Sequence, residues 1–313
     1  MNVASHDGPK DPIRLGTCEF RSRNAITAFT PWPLFSEVTR YDELSQINGI
    51  YPEHCEAFFD AGISTVAQLA ATSPERIGEL IGWTPRAAGR YAHLARSRHL
   101  NVPLAMASLI CPPPPRFIFD IETDPYGGNK LCWCIGVLDE ATGDFVQFVA
   151  TSEEEESRML GEFLEWCTTA RPGGLVAYSG SDFDKRNLIC RLQAHGLSIP
   201  KILEESVDLL EPVRKALAVP IPSYQLKALA ELLGFSFRHS DLEGFEVGSL
   251  ALRAIRSRRR IPRKLLEYNE DDVRSTAHII AEVERICGFA HAASRTRRTT
   301  RTARQGAGRM AKA

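Results

Sequence analysis

The sequence predicts an α/β protein: a mixed sheet flanked by helices, preceded by a small all-α region. Three observations carry this. From residue 116 onward, short apolar runs bounded by turn residues follow one another in the order strand, strand, strand, helix, strand, helix, which is that of an α/β sandwich. From Tyr41 to about Arg98 the apolar spacing is helical. Between the two lies Cys111-Pro112-Pro-Pro-Pro115, a semi-rigid polyproline stretch that puts a linker at residues 101–115.

Residues 1–40 are rich in Pro, Gly and Arg and read as an irregular arm without assigned function. The helical region, residues 41–100, is punctuated by starts and stops. A Pro-started helix is expected near Pro52–Asp60, broken by Ala61-Gly62-Ile63, and Ser64 or Thr65 caps the next helix through Ala71. Ser73-Pro74 and Thr84-Pro85 open two more, the last through Arg96, because Ser or Thr caps well and Pro fits the first helical position.

The second region, residues 116–287, begins with Arg116–Asp124 (RFIFDIETD), a strand that ends in the turn Asp124-Pro125-Tyr126-Gly127-Gly128. Lys130–Asp139 and Asp144–Ala150 are the next strands. Ser152 then caps a helix whose first turn holds Glu153–Glu156, acids that suit a helix N-terminus. Leu175–Tyr178 is a short buried strand, followed by a helix to His195, and Ser206–Leu209 is one more short strand. The chain is then mainly helical to Cys287, with the last helix starting at Pro262. Residues 288–313, basic and poor in apolar side chains, read as a disordered tail.

Composition bounds the function classes. The 313 residues, 43% hydrophobic and 25% charged, give ordinary soluble globular statistics and room for two domains. The eight cysteines form no CxxC pair, and Cys132-Trp133-Cys134 is a strand pattern rather than a zinc knuckle. No apolar run approaches the roughly 20 residues that span a bilayer, and the N-terminus lacks a signal-peptide core. A cytoplasmic protein with reduced thiols and no membrane association is expected. Net charge is −1 but uneven. Arg253, Arg256, Arg258, Arg259, Arg260, Arg263 and Lys264 cluster without an acid, and the tail is basic again; such clusters attract polyanions, nucleic acid above all.

The acids carry the chemistry. Side chains alternate along a strand, so Phe117, Phe119 and Ile121 share one face while Asp120 and Glu122 share the other with Ile118. Two adjacent carboxylates repel, and a bound hard cation such as Mg²⁺ or Mn²⁺ relieves that repulsion. Asp182-Phe183-Asp184 follows the strand Leu175–Tyr178, where ligand sites of open α/β sheets gather. Asp182 reads as the helix N-cap and Asp184 as the acid aimed at the site, with Asp182 its competitor. On the last helix, Tyr268 and Asp272 are i and i+4 neighbours. At about 100° per residue Asp272 falls about 70° from the centre of the buried stripe and Asp271 about 170°, so Asp272 is the expected ligand and Asp271 faces solvent.

An Asp-x-Glu strand, a Phe-Asp at a strand-to-helix junction and a Tyr-x-x-x-Asp on a late helix resemble the motifs of the DEDD (DnaQ-like) exonuclease superfamily, in its tyrosine-bearing branch. Val207-Asp-Leu-Leu, Ser223-Tyr-Gln-Leu-Lys-Ala-Leu-Ala230, Leu233-Gly-Phe235 and Tyr268-Asn-Glu-Asp-Asp-Val273 look like the ribonuclease-H-like predicted exonucleases found with RecB-type nuclease domains. The motifs extend over residues 115–287. The resemblance implies a ribonuclease-H-like fold and two Mg²⁺ or Mn²⁺ ions held by Asp120, Glu122, Asp184 and Asp272. It also implies a water oriented by Tyr268, and a RecB-type nuclease or helicase partner. The helical region is similar to tandem helix-hairpin-helix modules, which implies phosphate contacts at the Gly49 and Gly82 turns and from Arg86 and Arg90. Arg258, Arg259 and Arg260 are placed to hold the backbone of an incoming strand.

The expected function is therefore metal-dependent 3′–5′ hydrolysis of DNA or RNA, from single-stranded ends, in repair or recombination; two ions activate the nucleophile and stabilise the leaving oxygen. The alternative is a non-catalytic nucleic-acid-binding protein or scaffold acting through the hairpins and the basic tail.

Overall fold

The backbone of the N-terminal helices follows directly from their caps. In the computed structural model, which describes residues 42–127, 131–170 and 173–310 (side chains for 44–127, 131–170 and 173–288), the chain opens with α1 (Asp42–Ser45) and α2 (Pro52–Asp60). Then come α3 (Val66–Ala71), α4 (Pro74–Ile81) and α5 (Pro85–Leu100). Thr65, Ser73 and Thr84 each accept the backbone N–H three residues on, at 3.2, 3.2 and 3.3 Å, and Pro74 and Pro85 follow their caps directly. The last helix runs four residues beyond Arg96, ending at Asn101 in the left-handed region (φ 53°), where Asn is well tolerated. The arm of residues 1–40 lies outside the described residues.

A five-stranded mixed sheet follows, in the order β4-β3-β2-β5-β6, formed by β2 (Phe117–Thr123), β3 (Cys132–Asp139), β4 (Phe145–Val149), β5 (Leu175–Ala177) and β6 (Val207–Asp208). The pairings β2–β3 and β3–β4 are antiparallel, joined by short connections; β2–β5 and β5–β6 are parallel and need crossovers. The crossovers are α6 (Glu156–Ala170), α7 (Phe183–Ala194) and α8 (Lys201–Glu204). After β6 come α9 (Leu210–Ala216), β7 (Leu217–Ala218), α10 (Leu226–Leu232), α11 (Gly244–Arg256) and α12 (Arg263–Met310). The expected α/β architecture with a mixed sheet holds.

Strand alternation divides the core. Phe117, Phe119 and Ile121 bury against α6 and α7, together with Met159, Phe163 and Leu188. Ile118 points the other way, into a cluster with Leu229 of α10 and Val273, Ile280 and Val283 of α12. That second cluster continues without a break into Phe58, Leu69, Ile77 and Leu94 of the helical region. The segment 101–115 and the residues flanking it are pinned at several points. β1 (Leu104–Ala105) pairs antiparallel with β7, Arg98 donates to the Pro220 carbonyl at 2.6 Å, and Asn48 to that of Pro222 at 2.9 Å. Pro115 accepts the Gly173 N–H at 3.0 Å, and a Cβ at Gly173 would lie 2.4 Å from that oxygen. The stretch that composition marks as a linker is a partly exposed strap, pinned at β1 and at Pro115, between two regions that share one core.

Two sequence expectations change here. The last helix continues past Cys287 to Met310 where a disordered tail is expected; Ala and Arg are strong helix formers, and no proline interrupts them. Glu156, read as a first-turn acid that suits the helix N-terminus, is instead buried in an ion-paired cluster on the α6 side of the sheet. It accepts Arg191 Nε at 2.8 Å and Nη2 at 2.6 Å, meets His195 Nε2 at 2.8 Å, and accepts the Cys132 N–H at 2.7 Å. A compact helix start packed on β3 leaves that carboxylate no route to water, and the charges of α7 replace its hydration. Among the described residues no helix is long and apolar enough to cross a membrane.

Candidate metal centre

Asp120 and Glu122 leave the sheet on the face covered by α12. The helix can approach because β3 has Gly136 directly opposite Asp120; a Cβ there would stand 2.2 Å from Asn269 Oδ1. Asn269, fully buried, uses the space to donate to Asp120 Oδ2 at 2.8 Å, while its own oxygen accepts Gln147 Nε2 at 2.9 Å. Asp120 is thus oriented through an amide fixed from the far side by β4. One turn around the helix, Asp272 faces the same space. One carboxylate oxygen each from Asp120, Glu122 and Asp272 lie within 4.8 Å of one another.

The fourth acid arrives from β5. After Ala177 the chain turns through Gly180, Ser181 and Asp182, all at positive φ, into α7. Asp182 takes the N-cap position but is exposed and makes no side-chain capping bond, while its N–H donates to Asp208 Oδ2 at 3.0 Å. Asp184 is 2% exposed. Asp120, Glu122, Asp184 and Asp272 line one cleft with Tyr268, Tyr178, Ser179 and Leu226, and with the start of α11 at Gly244 and Phe245.

Three of these carboxylates are buried and Asp120 is half-buried, and among the described residues Lys227 is the cation that acts on them, on Glu122 and Asp272. Burial first, then Asp184, Glu122 and Asp272, push the Asp120 carboxyl well above the usual carboxylate range, against the pull of the Asn269 hydrogen bond. Burial, Asp272 and Asp184 do the same to Glu122. Asp184 and Asp272 are each pushed up to about 7, chiefly by burial. Asp184 Oδ2 and Asp272 Oδ1 are buried with no hydrogen-bond partner among the described residues. Orphaned buried oxygens are costly unless something else satisfies them. An all-oxygen set of converging carboxylates with unused lone pairs fits a hard divalent cation, which Asp120, Glu122 and Asp272 could hold, with Asp184 lining the same cleft.

Tyr268 lies beside this set in the same cleft, 8% exposed, and burial and the acids, Asp272 first among them, raise its pKa. The neighbouring acid departs from the sequence reading. Asp271 is 4% exposed, because Arg238 from the segment after α10 covers that side of α12, donating to it from backbone N and Nε at 2.8 Å each.

The other expected binding residues are spread out. Gly49 and Gly82 both have positive φ (84° and 71°) in turns just before α2 and α5, and Tyr91 ties the two turns together, donating to the Gly49 carbonyl at 2.6 Å and packing on Trp83 at 5.3 Å. Arg86 is exposed beside the second turn. Arg90 instead turns inward: its Nε is buried, and its guanidinium meets the Tyr224 hydroxyl across the seam with the α/β region. Arg258, Arg259 and Arg260 are exposed between α11 and α12 and do not line the cleft. Asn269, Gln147 and Lys227 were not singled out from the sequence. A signal for the first was present: at about 100° per residue Asn269 falls about 10° from the centre of the buried stripe of α12, and Gly136 interrupts an otherwise bulky strand opposite.

A family model of the RNase H superfamily, RNase_H_2, matches residues 117–284, from the first residue of β2 to the middle of α12. No curated protein matches the chain. The match spans more than half of the sequence, takes in every strand of the main sheet and contains all four acids: the chain belongs to the RNase H superfamily.

Proposed function

We propose that this protein is a metal-dependent nuclease that removes nucleotides from the 3′ end of a nucleic-acid strand. The observation that carries the reading is the convergence of four carboxylates, three buried and Asp120 half-buried, two of them with orphaned oxygens, in one open cleft. Bound divalent ions would supply charge for activating water and stabilising the leaving oxygen, as two-ion sites do in phosphodiester hydrolysis. The protein's own contribution is positional. Asn269 fixes Asp120, the strand pleat fixes Glu122 beside it, and Tyr268, lining the cleft with Asp272, would hydrogen-bond a water or a phosphate oxygen.

Unpaired ends suit the rim of this cleft. Phe245 (61% exposed) and Phe183 (40%) line it, and Tyr126 (65%) packs edge-on against Phe245 at 5.4 Å. Exposed rings stack on unpaired bases of any sequence. The backbone contacts assigned to this reading are the Gly49 and Gly82 turns, Arg86, and Arg258 to Arg260; Arg90 drops out because it is engaged internally.

The test is a cleavage assay on single- and double-stranded DNA and RNA, labelled at either end, with Mg²⁺ or Mn²⁺. Stepwise shortening from the 3′ end by the wild type, and none by Asp120→Ala or Asp272→Ala, is the expected result. Binding without shortening of any strand would leave the non-catalytic alternative.

A further inference from the structure

We infer that Lys227 is a positioning residue of the acid cluster: a tethered counter-cation that holds Tyr268 in place beside Asp272 and is itself part of the electrostatic setting in which a divalent ion binds. This rests on the metal reading of the cleft and assigns a role to a residue outside the expected site. Lys227 sits in the first turn of α10, next to Leu226, which lines the cleft. Its ammonium lies 4.7 Å from the centre of the Tyr268 ring and 6.0 Å from that of Phe237. It also donates to the carbonyl of Leu242, a residue only 2% exposed. Two residues further, Gly244 begins α11 so close to Tyr268 that a Cβ there would be 3.6 Å from the phenol oxygen. One ammonium therefore ties together α10, the segment leading into α11, and the tyrosine of α12.

The tether decides what the charge does. A free surface lysine would swing into water; this one is held by a buried carbonyl and two aromatic faces, which attract a cation through the ring quadrupole. Among the described residues no Lys or Arg lines the cleft, and Lys227 acts from against the Tyr268 ring. From there its charge works against the burial of both Glu122 and Asp272. A lysine so placed partly neutralises the carboxylates before a metal arrives. It should therefore weaken metal binding slightly while keeping Tyr268 and the Leu242–Gly244 segment in register for chemistry.

These two effects have opposite signs, and that separates the inference from a merely structural role. In the full-length protein, Lys227→Met should bind Mn²⁺ roughly threefold to tenfold more tightly, the size expected when one unit charge is removed several ångström from a divalent ion in a partly solvated cleft. The same variant should lose about tenfold or more in kcat with little change in KM, and Lys227→Arg, which keeps the charge and the ring contact, should recover most of both. In a Tyr268→Phe background, Lys227→Met should cost little further turnover. Mn²⁺ affinity is read by calorimetry, with thermal unfolding as the folding control; if Lys227→Met is unfolded, Lys227→Gln takes its place. Unchanged or weaker Mn²⁺ binding in a folded, charge-free variant overturns the inference while leaving the nuclease reading intact. Tighter binding in a protein whose wild type shortens no strand sinks the nuclease reading and leaves Lys227 its role. A wild type that takes up no Mn²⁺ overturns both.

Discussion

The sheet carries buried acids on both faces, and they are treated in opposite ways. On the α6–α7 face, Glu156 is surrounded by an arginine held through two bonds, a histidine and a backbone N–H, and its pKa is lowered because those hydrogen bonds outweigh burial. On the α12 face, Asp120, Glu122, Asp184 and Asp272 face one another, with one amide and the tethered Lys227 as the nearby balance, and their pKa values rise. The same contrast recurs between adjacent residues of α12, where Asp271 is bonded by Arg238 and Asp272 keeps an orphaned oxygen. Burial alone does not mark a functional acid. What separates the two classes is whether the fold supplies enough bonded partners to match the charge, because a fold that buries a charge and leaves it undermatched is less stable for it. The matched acids hold the structure; the unmatched ones are where a ligand can contribute.

Substitutions on the two faces should therefore fail differently. Asp120→Ala should cost on the order of a thousandfold in turnover. It should leave thermal stability unchanged or raised in metal-free protein, because a buried repulsion is removed. A clear drop in unfolding temperature would place Asp120 with the structural acids. Glu156→Ala should do the reverse, destabilising by about 3 kcal/mol by stranding Arg191, with turnover per folded molecule preserved. Denaturant unfolding at neutral pH checks this, and loss of turnover in still-folded protein would break the division between faces. A smaller effect is expected one contact further out. Asn269→Ala should weaken metal binding or turnover by about 10–100-fold, as losing the group that orients a ligand does. An effect as large as that of Asp120→Ala would make the amide more than a support.

Much of this was legible in the chain. Helix starts followed from Thr65, Ser73-Pro74 and Thr84-Pro85 because caps act locally. The split of Phe117, Phe119 and Ile121 from Ile118, Asp120 and Glu122 followed from the pleat. Asp184, Tyr268 and Asp272, which line one cleft, were nameable from periodicity and from the end of β5, with Asp182 left as a competitor of Asp184. What escaped were the partners. Whether Glu156 or Asp271 is solvated depends on Arg191 and Arg238, 35 and 33 residues away, which no local pattern connects. Arg90 looked available for a phosphate because its inward partner, Tyr224, lies across the seam between the two regions. The strap of residues 101–115 read as a linker for the same reason: its strand partner, β7, is over 100 residues further along.

The central claim is that the unmatched acids form a divalent-cation site, and the pH dependence of stability tests it without any substrate. Asp184 and Asp272 have carboxyls raised from 3.8 to about 7, so each favours the folded state most when protonated. That contribution is fully present below the ordinary carboxylate pKa and is lost as pH rises through about 7. Metal-free protein should therefore unfold at lower temperature at pH 8 than at pH 5.5. Saturating Mn²⁺ should raise the pH 8 value most, because the ion binds the ionised acids of the folded state. Calorimetry near pH 7 should show Mn²⁺ uptake with proton release in the wild type and neither in Asp120→Ala. No Mn²⁺ uptake, or stabilisation by Mn²⁺ that is equal at both pH values and survives Asp120→Ala, would contradict the account.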